Sequence, residues 1–213
     1  MRTHRALRRN LAAGFSMLEV LIAALILTGG LLSLAWVAAQ MSVTTPRGGW
    51  MTTAVILASE KLEDLNKYTQ TDPNISFNGA NTTAGSLDPT TTPTDNIGGQ
   101  QVDYWDQVQI STGNGSMDET VSSRDPITGK QVYTTIEHKP DGTVQVLPPA
   151  AALPATTGDM IVFKRNWLIE KDPVVAGNPV VGIRRVTVLV TLQSQIGIKG
   201  TLPITFQTSM VRP

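Results

Sequence analysis

The feature that most constrains this chain is an apolar run close to its N-terminus. The run extends from Phe15 to Ala39 and contains 25 residues, of which only Glu19 is charged. As an α-helix it would measure ~37 Å at ~1.5 Å per residue, enough to cross a hydrocarbon core of ~30 Å with some tilt. The sequence therefore predicts a helix that spans a membrane once.

The charges around the run predict its orientation. The first 14 residues contain four basic side chains and no acid, namely Arg2, Arg5, Arg8 and Arg9. Only Arg47 follows the run closely. Because cytoplasmic flanks carry the excess of basic residues, we expect the N-terminus in the cytoplasm and the rest of the chain outside. Trp36 fits either an interfacial aromatic position or an ordinary apolar position of the helix.

Three interpretations of the run compete. A secretory signal peptide could be cut after Val37-Ala38-Ala39, but its apolar region would normally be only ~7–15 residues long. A plain anchor helix explains the length and the arginines. It does not explain Glu19, because an ionisable side chain inside a membrane span usually has a function. The third interpretation is a helix that first anchors the protein and later packs in an assembly.

The third interpretation matches a known family. Gly14-Phe15-Ser16-Met17-Leu18-Glu19, which is preceded by the arginines and followed by the apolar run, resembles the class III leader of type IV pilins and type II secretion pseudopilins. The resemblance implies that a prepilin peptidase cuts between Gly14 and Phe15 and methylates the new amino group of Phe15. Glu19 would then be the fifth residue of the mature chain.

The resemblance also implies a role for Glu19. The Phe15 amine of one subunit would meet the Glu19 carboxylate of a neighbour, and a helix in the wrong register would leave one of these charges buried and unpaired. A simpler interpretation is that Glu19 is an acid in the first turn, favoured by the helix dipole. The two interpretations are compatible.

Beyond the run, the sequence predicts a second helical stretch. Pro46, Gly48 and Gly49 predict a kink or a short break. Apolar residues then recur at three- and four-residue spacing from Trp50 to Tyr68. This spacing is typical of an amphipathic helix, and we expect a sheet of the same subunit to cover its apolar stripe. Residues 69–100 are rich in turn formers and predict a long surface loop, with a short turn or strand near 75–77.

The remainder of the chain predicts an antiparallel sheet. Alternation of apolar and polar residues predicts strands near 102–110, 132–137, 143–147, 160–170, 180–192 and 202–211. Asp141-Gly142 predicts the turn of a hairpin. The last three strands are expected to form a meander with turns at 172–179 and 197–200.

The expected fold class is therefore α+β: a long N-terminal transmembrane helix packed on an antiparallel β-sheet, as in pilins. The expected segments are a leader peptide (1–14), a transmembrane and assembly helix (15–45), its amphipathic continuation (46–68), a variable loop (69–100) and a sheet head (101–213).

The composition argues against several kinds of chemistry. The chain has no cysteine, which excludes disulfides and thiolate sites. After the leader it holds 13 basic and 17 acidic residues, which argues against nucleic acid as a partner. His4 and His138 belong to no catalytic constellation. Asp118, Glu119 and Asp125 could bind calcium, but a solvated acidic loop is the favoured interpretation. We expect no enzyme activity and no cofactor.

The expected function is that of a minor type IV pilin, nearest to the pilus-modification kind, that primes or caps a pilus and takes part in adhesion or motility. Its partners would be the prepilin peptidase, other pilin subunits and the inner membrane. It would cross the inner membrane once, with the head periplasmic or extracellular, before joining a pilus. The alternatives are a minor pseudopilin of a type II secretion system and, from a different class, an anchored envelope ligand-binding domain or enzyme.

Overall fold

The computed structural model describes residues 16–194 and 204–213, without the side chains of 42–46 and 194. Gly14, Phe15, His4 and the turn expected at 197–200 lie outside the described residues. The chain divides into two compact units, Met1–Pro46 and Arg47–Pro213. One α-helix, α1 (Met17–Asn66), contributes residues to both units.

The part of α1 in the first unit is apolar and exposed. The stretch Met17–Met41 has 25 residues, a mean hydropathy of 2.4 and no buried residue. A folded protein in water leaves such a surface uncovered at a large cost, since burying apolar area is the main favourable term in folding. This helix is long and apolar enough to span a membrane, in agreement with the expected anchor.

The short break expected at Pro46 is absent. The backbone is helical on both sides of this residue, and α1 continues to Asn66. Proline has no N–H and so removes one i→i−4 hydrogen bond, but its φ angle is itself close to the helical value. The hydrogen bonds of the flanking turns are sufficient to keep the helical backbone.

The second unit combines the last part of α1 with a large antiparallel sheet. A 3₁₀-helix, η1 (Pro73–Ile75), follows α1. The strands are β1 (Thr83–Gly85), β2 (Thr94–Ile97), β3 (Gln100–Asp103), β4 (Trp105–Ser111), β5 (Met117–Arg124), β6 (Gln131–His138), β7 (Val144–Val146), β8 (Met160–Lys171), β9 (Val174–Val175), β10 (Asn178–Pro179), β11 (Arg184–Ser194) and β12 (Thr205–Arg212).

The main sheet has the strand order β12-β11-β8-β4-β5-β6-β7, and β1 adds to one end of β8. All of these pairs are antiparallel. The hairpin expected around Asp141-Gly142 is confirmed as β6 and β7, and the final meander is confirmed as β8, β11 and β12. The turn expected at 172–179 contains a small ribbon of its own, formed by β9 and β10.

The apolar stripe of α1 in this unit is buried, as expected. Ala54, Leu57, Ala58 and Leu65 are at most 2% exposed. They belong to one core cluster with the inward side chains of β4, β8 and β11. The coarse α+β fold class is thus confirmed by the helix and the antiparallel sheet.

Two regions differ from expectation. The segment predicted as a loop (69–100) contains β1 and β2 in addition to η1, which agrees with the short turn expected near 75–77, and its Ile75 is fully buried. The acidic segment predicted as a loop contains β5, which lies between β4 and β6 in the sheet. Both segments are rich in polar residues, so their apolar periodicity is weak. In the fold, these polar groups form hydrogen bonds and ion pairs with one another, either locally or across strands.

Candidate functional site

The first turn of α1 fixes the position of Glu19. The carboxylate of Glu19 accepts a hydrogen bond from the backbone N–H of Ser16 at 2.9 Å. The hydroxyl of Ser16 accepts one in return from the backbone N–H of Glu19 at 3.2 Å. This reciprocal arrangement is a capping box, which satisfies two otherwise free donors at a helix N-terminus. It supports the simpler interpretation of Glu19 without excluding a second role.

The other two residues of the expected processing site are Gly14 and Phe15, which lie outside the described residues. Glu19 itself is exposed on the described helix. It is the only charged residue among Met17–Met41. In a membrane, its carboxylate would therefore need a cationic partner from outside this stretch.

The second unit contains a buried ionic cluster that the sequence analysis missed. Its members are Lys61, Asp106, Glu119 and Arg165, contributed by α1, β4, β5 and β8. Arg165 holds both carboxylate oxygens of Asp106, with Nε at 2.5 Å and Nη2 at 2.8 Å. Lys61 Nζ lies 2.7 Å from Asp106 Oδ2. Arg165 Nη2 also donates to Glu119 Oε1.

The cluster is electrically balanced and almost dry. The Arg165 and Asp106 side chains are 0% exposed, and that of Lys61 is 11% exposed. Burial alone would raise the pKa of Asp106, but the charges of Arg165 and Lys61 outweigh this effect and hold the pKa below its usual value. For Arg165, burial would lower the pKa, and the carboxylates of Asp106 and Glu119 raise it instead. Asp106 and Arg165 are therefore both charged at neutral pH.

An aromatic ring completes the environment of Lys61. The ammonium lies 4.3 Å from the ring centroid of Trp167, within the range of a cation–π contact. Trp167 and Lys61 also line two adjoining cavities of about 320 and 260 Å³ beside the C-terminal part of α1. The indole N–H of Trp167 has no hydrogen-bond partner among the described residues.

This arrangement joins a helix to three neighbouring strands. Lys61 comes from α1, while Asp106, Glu119 and Arg165 come from β4, β5 and β8. A displaced helix would take Lys61 away and leave two buried carboxylates with Arg165 as their only cation in the cluster, which disfavours the displacement. The cluster is therefore suited to fixing the position of the helix on the sheet.

The residues considered for calcium are not brought together. Asp118 and Glu119 are neighbours on β5 and point to opposite faces of the sheet, and Asp125 lies in the turn after the strand. Glu119 is committed to Arg165, and Asp125 accepts backbone N–H groups of its own turn. Within the described part of the chain, no group of three or more His, Asp or Glu residues could hold a metal ion.

A signal for the cluster was present in the sequence. Lys61 lies midway between Leu57 and Leu65, four residues from each, and so occupies the apolar stripe of α1. Arg165 follows Ile161 and Phe163 at period two, on the inward face of β8. A charged residue at a position that the pattern assigns to the core predicts a buried partner, although it does not identify that partner.

Comparison with known proteins adds no further constraint: no protein family, no characterised protein and no solved structure matches this chain.

Proposed function

We propose that this chain is a minor subunit of a type IV pilus. It is anchored by the apolar part of α1, cut after Gly14, methylated at Phe15 and then assembled with other subunits. The observation that carries the proposal is the position of Glu19. It is the only charged residue of the exposed apolar stretch Met17–Met41 and lies four residues in sequence from the residue that cleavage would leave at the N-terminus.

The mature N-terminus would carry two opposite charges, each of which is costly to bury alone. Cleavage would create a cationic amine at Phe15, and Glu19 provides a carboxylate four residues later in the sequence. In a bilayer or in the core of a fibre, each of these charges needs an opposite partner. When helices of neighbouring subunits pack side by side, the amine of one and the carboxylate of the next can meet. The exposed apolar surface of Met17–Met41 supports such packing, because it is uncovered within the subunit.

The second unit supports a structural role. Its inward side chains form a continuous core, and the buried ionic cluster connects α1 to β4, β5 and β8. A rigid head on an apolar helix is what a fibre subunit needs for presenting a surface. The described residues offer no arrangement of nucleophile, base and orienting group that would favour the anchored enzyme.

The test is the mature N-terminus of the protein. Full-length protein is extracted from membranes of cells with and without active prepilin peptidase and analysed by intact-mass and peptide mass spectrometry. We expect N-methyl-Phe15 with the peptidase and an intact leader without it. A Gly14→Val variant serves as a control and should retain the leader in both strains.

Two other results would contradict the proposal. An intact leader in the presence of active peptidase would indicate a plain anchor. A chain that begins after Ala39 would indicate a secretory signal peptide. A minor pseudopilin would have the same mature N-terminus as a pilin, so deletion of the gene must decide between the two. Loss of surface pili supports the pilus subunit, whereas loss of protein secretion with normal pili supports the pseudopilin.

A further inference from the structure

The two ends of the main sheet are protected very differently. At one end, β7 is three residues long and is followed by Pro148 and Pro149. A short strand beside prolines is a common way to prevent another chain from pairing with a sheet edge. At the other end, β12 has eight residues, and Pro213 follows only after its last one. In the part of the chain that the structure describes, no strand pairs with the outer side of β12.

The register of β12 shows which backbone groups are open. Leu192 donates its N–H to the carbonyl of Ile204 at 3.0 Å, in line with the register of β11 and β12. In an antiparallel ladder, only every second residue points its backbone groups to a given neighbour. Residues 206, 208, 210 and 212 therefore bond to β11. The N–H and C=O groups of the intervening residues point outward, namely those of Thr205, Gln207, Ser209 and Val211.

Two apolar side chains of β12 also remain partly exposed at this edge. Phe206 and Met210 lie opposite Val190 and Val186, which are fully buried. Phe206 and Met210 themselves are only partly buried, although they pack on the same core. Further apolar side chains beside them would extend the core row beyond β12.

A fourth observation comes from the last residue of β12. Arg212 donates from Nη1 to the carbonyl of Leu65 at 3.0 Å and from Nη2 to that of Tyr68 at 2.6 Å. Its side chain lies on the core side of the strand, as do those of Phe206 and Met210, and no carboxylate among the described residues pairs with it. A cation at a sheet edge that bonds only to neutral carbonyl groups favours an acidic partner.

We propose that β12 is a docking edge for an extended segment of a different protein, which adds to the sheet as an antiparallel strand. The segment would place an acidic residue opposite Arg212 and apolar residues opposite Met210 and Phe206. Because side chains alternate between faces, these are its first, third and seventh residues. Its second, fourth and sixth residues would be polar and face solvent with Val211, Ser209 and Gln207, and its fifth would lie opposite Thr208. This inference does not depend on the proposed function.

The test uses the full chain in detergent micelles and a labelled, end-blocked peptide of sequence Glu-Thr-Val-Gln-Thr-Ser-Ile. Binding is measured by fluorescence anisotropy, with empty micelles as a blank. We expect saturable binding by this peptide. A peptide with Lys in place of Glu, and one whose apolar residues are moved by one position, should both bind at least about tenfold more weakly, a factor that corresponds to ~1.4 kcal/mol.

Two variants at Gln207 separate the contribution of its backbone N–H to binding from that of its side chain. Gln207→Pro removes an outward N–H and should weaken binding by about tenfold or more. Gln207→Ala keeps that N–H and should bind as the unmodified protein does. Val146→Pro, which likewise removes an outward N–H on the opposite edge strand, should also leave binding unchanged. Unfolding midpoints of all variants show whether the sheet has remained folded.

A second measurement needs no variant. Hydrogen exchange of the unmodified chain should slow at the amides of Gln207 and Ser209 when the peptide is added, while the amides of β7 keep their rates. Unchanged exchange at β12, or equal binding by Gln207→Pro, would overturn the proposal. Self-association of the chain that disappears in Gln207→Pro would also overturn it, because the occupant would then be a second copy.

Discussion

The ammonium of Lys61 lies 2.7 Å from a carboxylate oxygen of Asp106, on the inner side of a helix whose other inward residues are apolar. Asp106 also accepts two hydrogen bonds from Arg165. Asp106 is therefore the central anion between two cations from different elements. Its loss would leave two buried positive charges with only Glu119 as a nearby acid.

We predict that Asp106→Asn destabilises the protein by about 3–5 kcal/mol, the usual cost of breaking a buried ion pair by removing one partner. The measurement is the free energy of unfolding in urea, followed by tryptophan fluorescence in detergent. The matched control is Asp64→Asn, which removes an ion pair with Lys67 that is largely exposed. This control should show no measurable change, and equal effects of the two substitutions would contradict the prediction.

The same carboxylate predicts a dependence on pH. The pKa of Asp106 is lower in the folded chain than in the unfolded chain, because Arg165 and Lys61 outweigh the effect of burial. Folding therefore favours the ionised form, and the stabilisation is fully present above the unfolded pKa of about 4. It is lost as the pH falls through the folded value. The stability difference between the unmodified protein and Asp106→Asn should be constant from about pH 7 to 5 and should shrink below about pH 4.

Asp118 should behave in the opposite way. Burial, and then the charge of Glu137, raise the pKa of Asp118 in the folded chain. Folding therefore favours its neutral form, and ionisation of Asp118 at neutral pH destabilises the folded chain. We predict that Asp118→Asn raises the unfolding midpoint at pH 7 by about 2 °C or less. The gain should disappear as the pH falls to about 4, where the unfolded carboxyl also becomes protonated. A gain that persists at pH 3 would indicate a cause other than ionisation.

Gly85 and Gly142 provide a controlled comparison of backbone strain and steric clash. Their φ angles are +83° and +84°, so an added side chain meets the same backbone strain at both positions. A Cβ at Gly85 would lie 2.2 Å from the carbonyl oxygen of Trp167, whereas nothing lies within 4 Å at Gly142. We predict a loss of about 1–2 kcal/mol for Gly142→Ala from strain alone and at least about 2 kcal/mol more for Gly85→Ala. Similar losses, measured by urea unfolding, would show that β1 can move away.

The elements that could be predicted from sequence are those with a strong apolar period. In β8 and β11, the inward side chains are buried at period two and are apolar apart from Arg165, and the Asp141-Gly142 turn identifies the β6–β7 hairpin. These signals are local, because they depend on residues within one strand or one turn. The apolar stripe of α1 was predictable for the same reason.

The elements that escaped prediction depend on partners that are distant in sequence. In β5, the inward residue between Met117 and Val121 is Glu119, and its charge is satisfied by Arg165, which lies 46 residues further along the chain. No local pattern distinguishes such a strand from a solvated acidic loop. The burial of Lys61 was not predicted for the same reason, since its partner Asp106 belongs to a different element. Buried polar networks therefore mark the limit of arguments based on periodicity.

The two roles of Glu19 can be separated by a single substitution. In a capping box, Gln replaces Glu as the acceptor from the Ser16 N–H. Glu19→Gln therefore keeps the helix N-terminus and removes only the charge. If the carboxylate pairs with the amine of a neighbouring subunit, Glu19→Gln should be processed normally and yet be absent from sheared pili, as should Glu19→Ala.

The control for this experiment is Ser16→Ala, which removes the hydroxyl of the capping box and keeps the charge of Glu19. It should cost about 1 kcal/mol of local helix stability and still enter the assembly. Immunoblots of sheared fibres and of membranes give the assembled fraction of each variant. Normal assembly of Glu19→Gln with failure of Ser16→Ala would show that the cap, and not the charge, is what assembly requires. The opposite result leaves the charge as the requirement, because only that property differs between Glu19 and its amide.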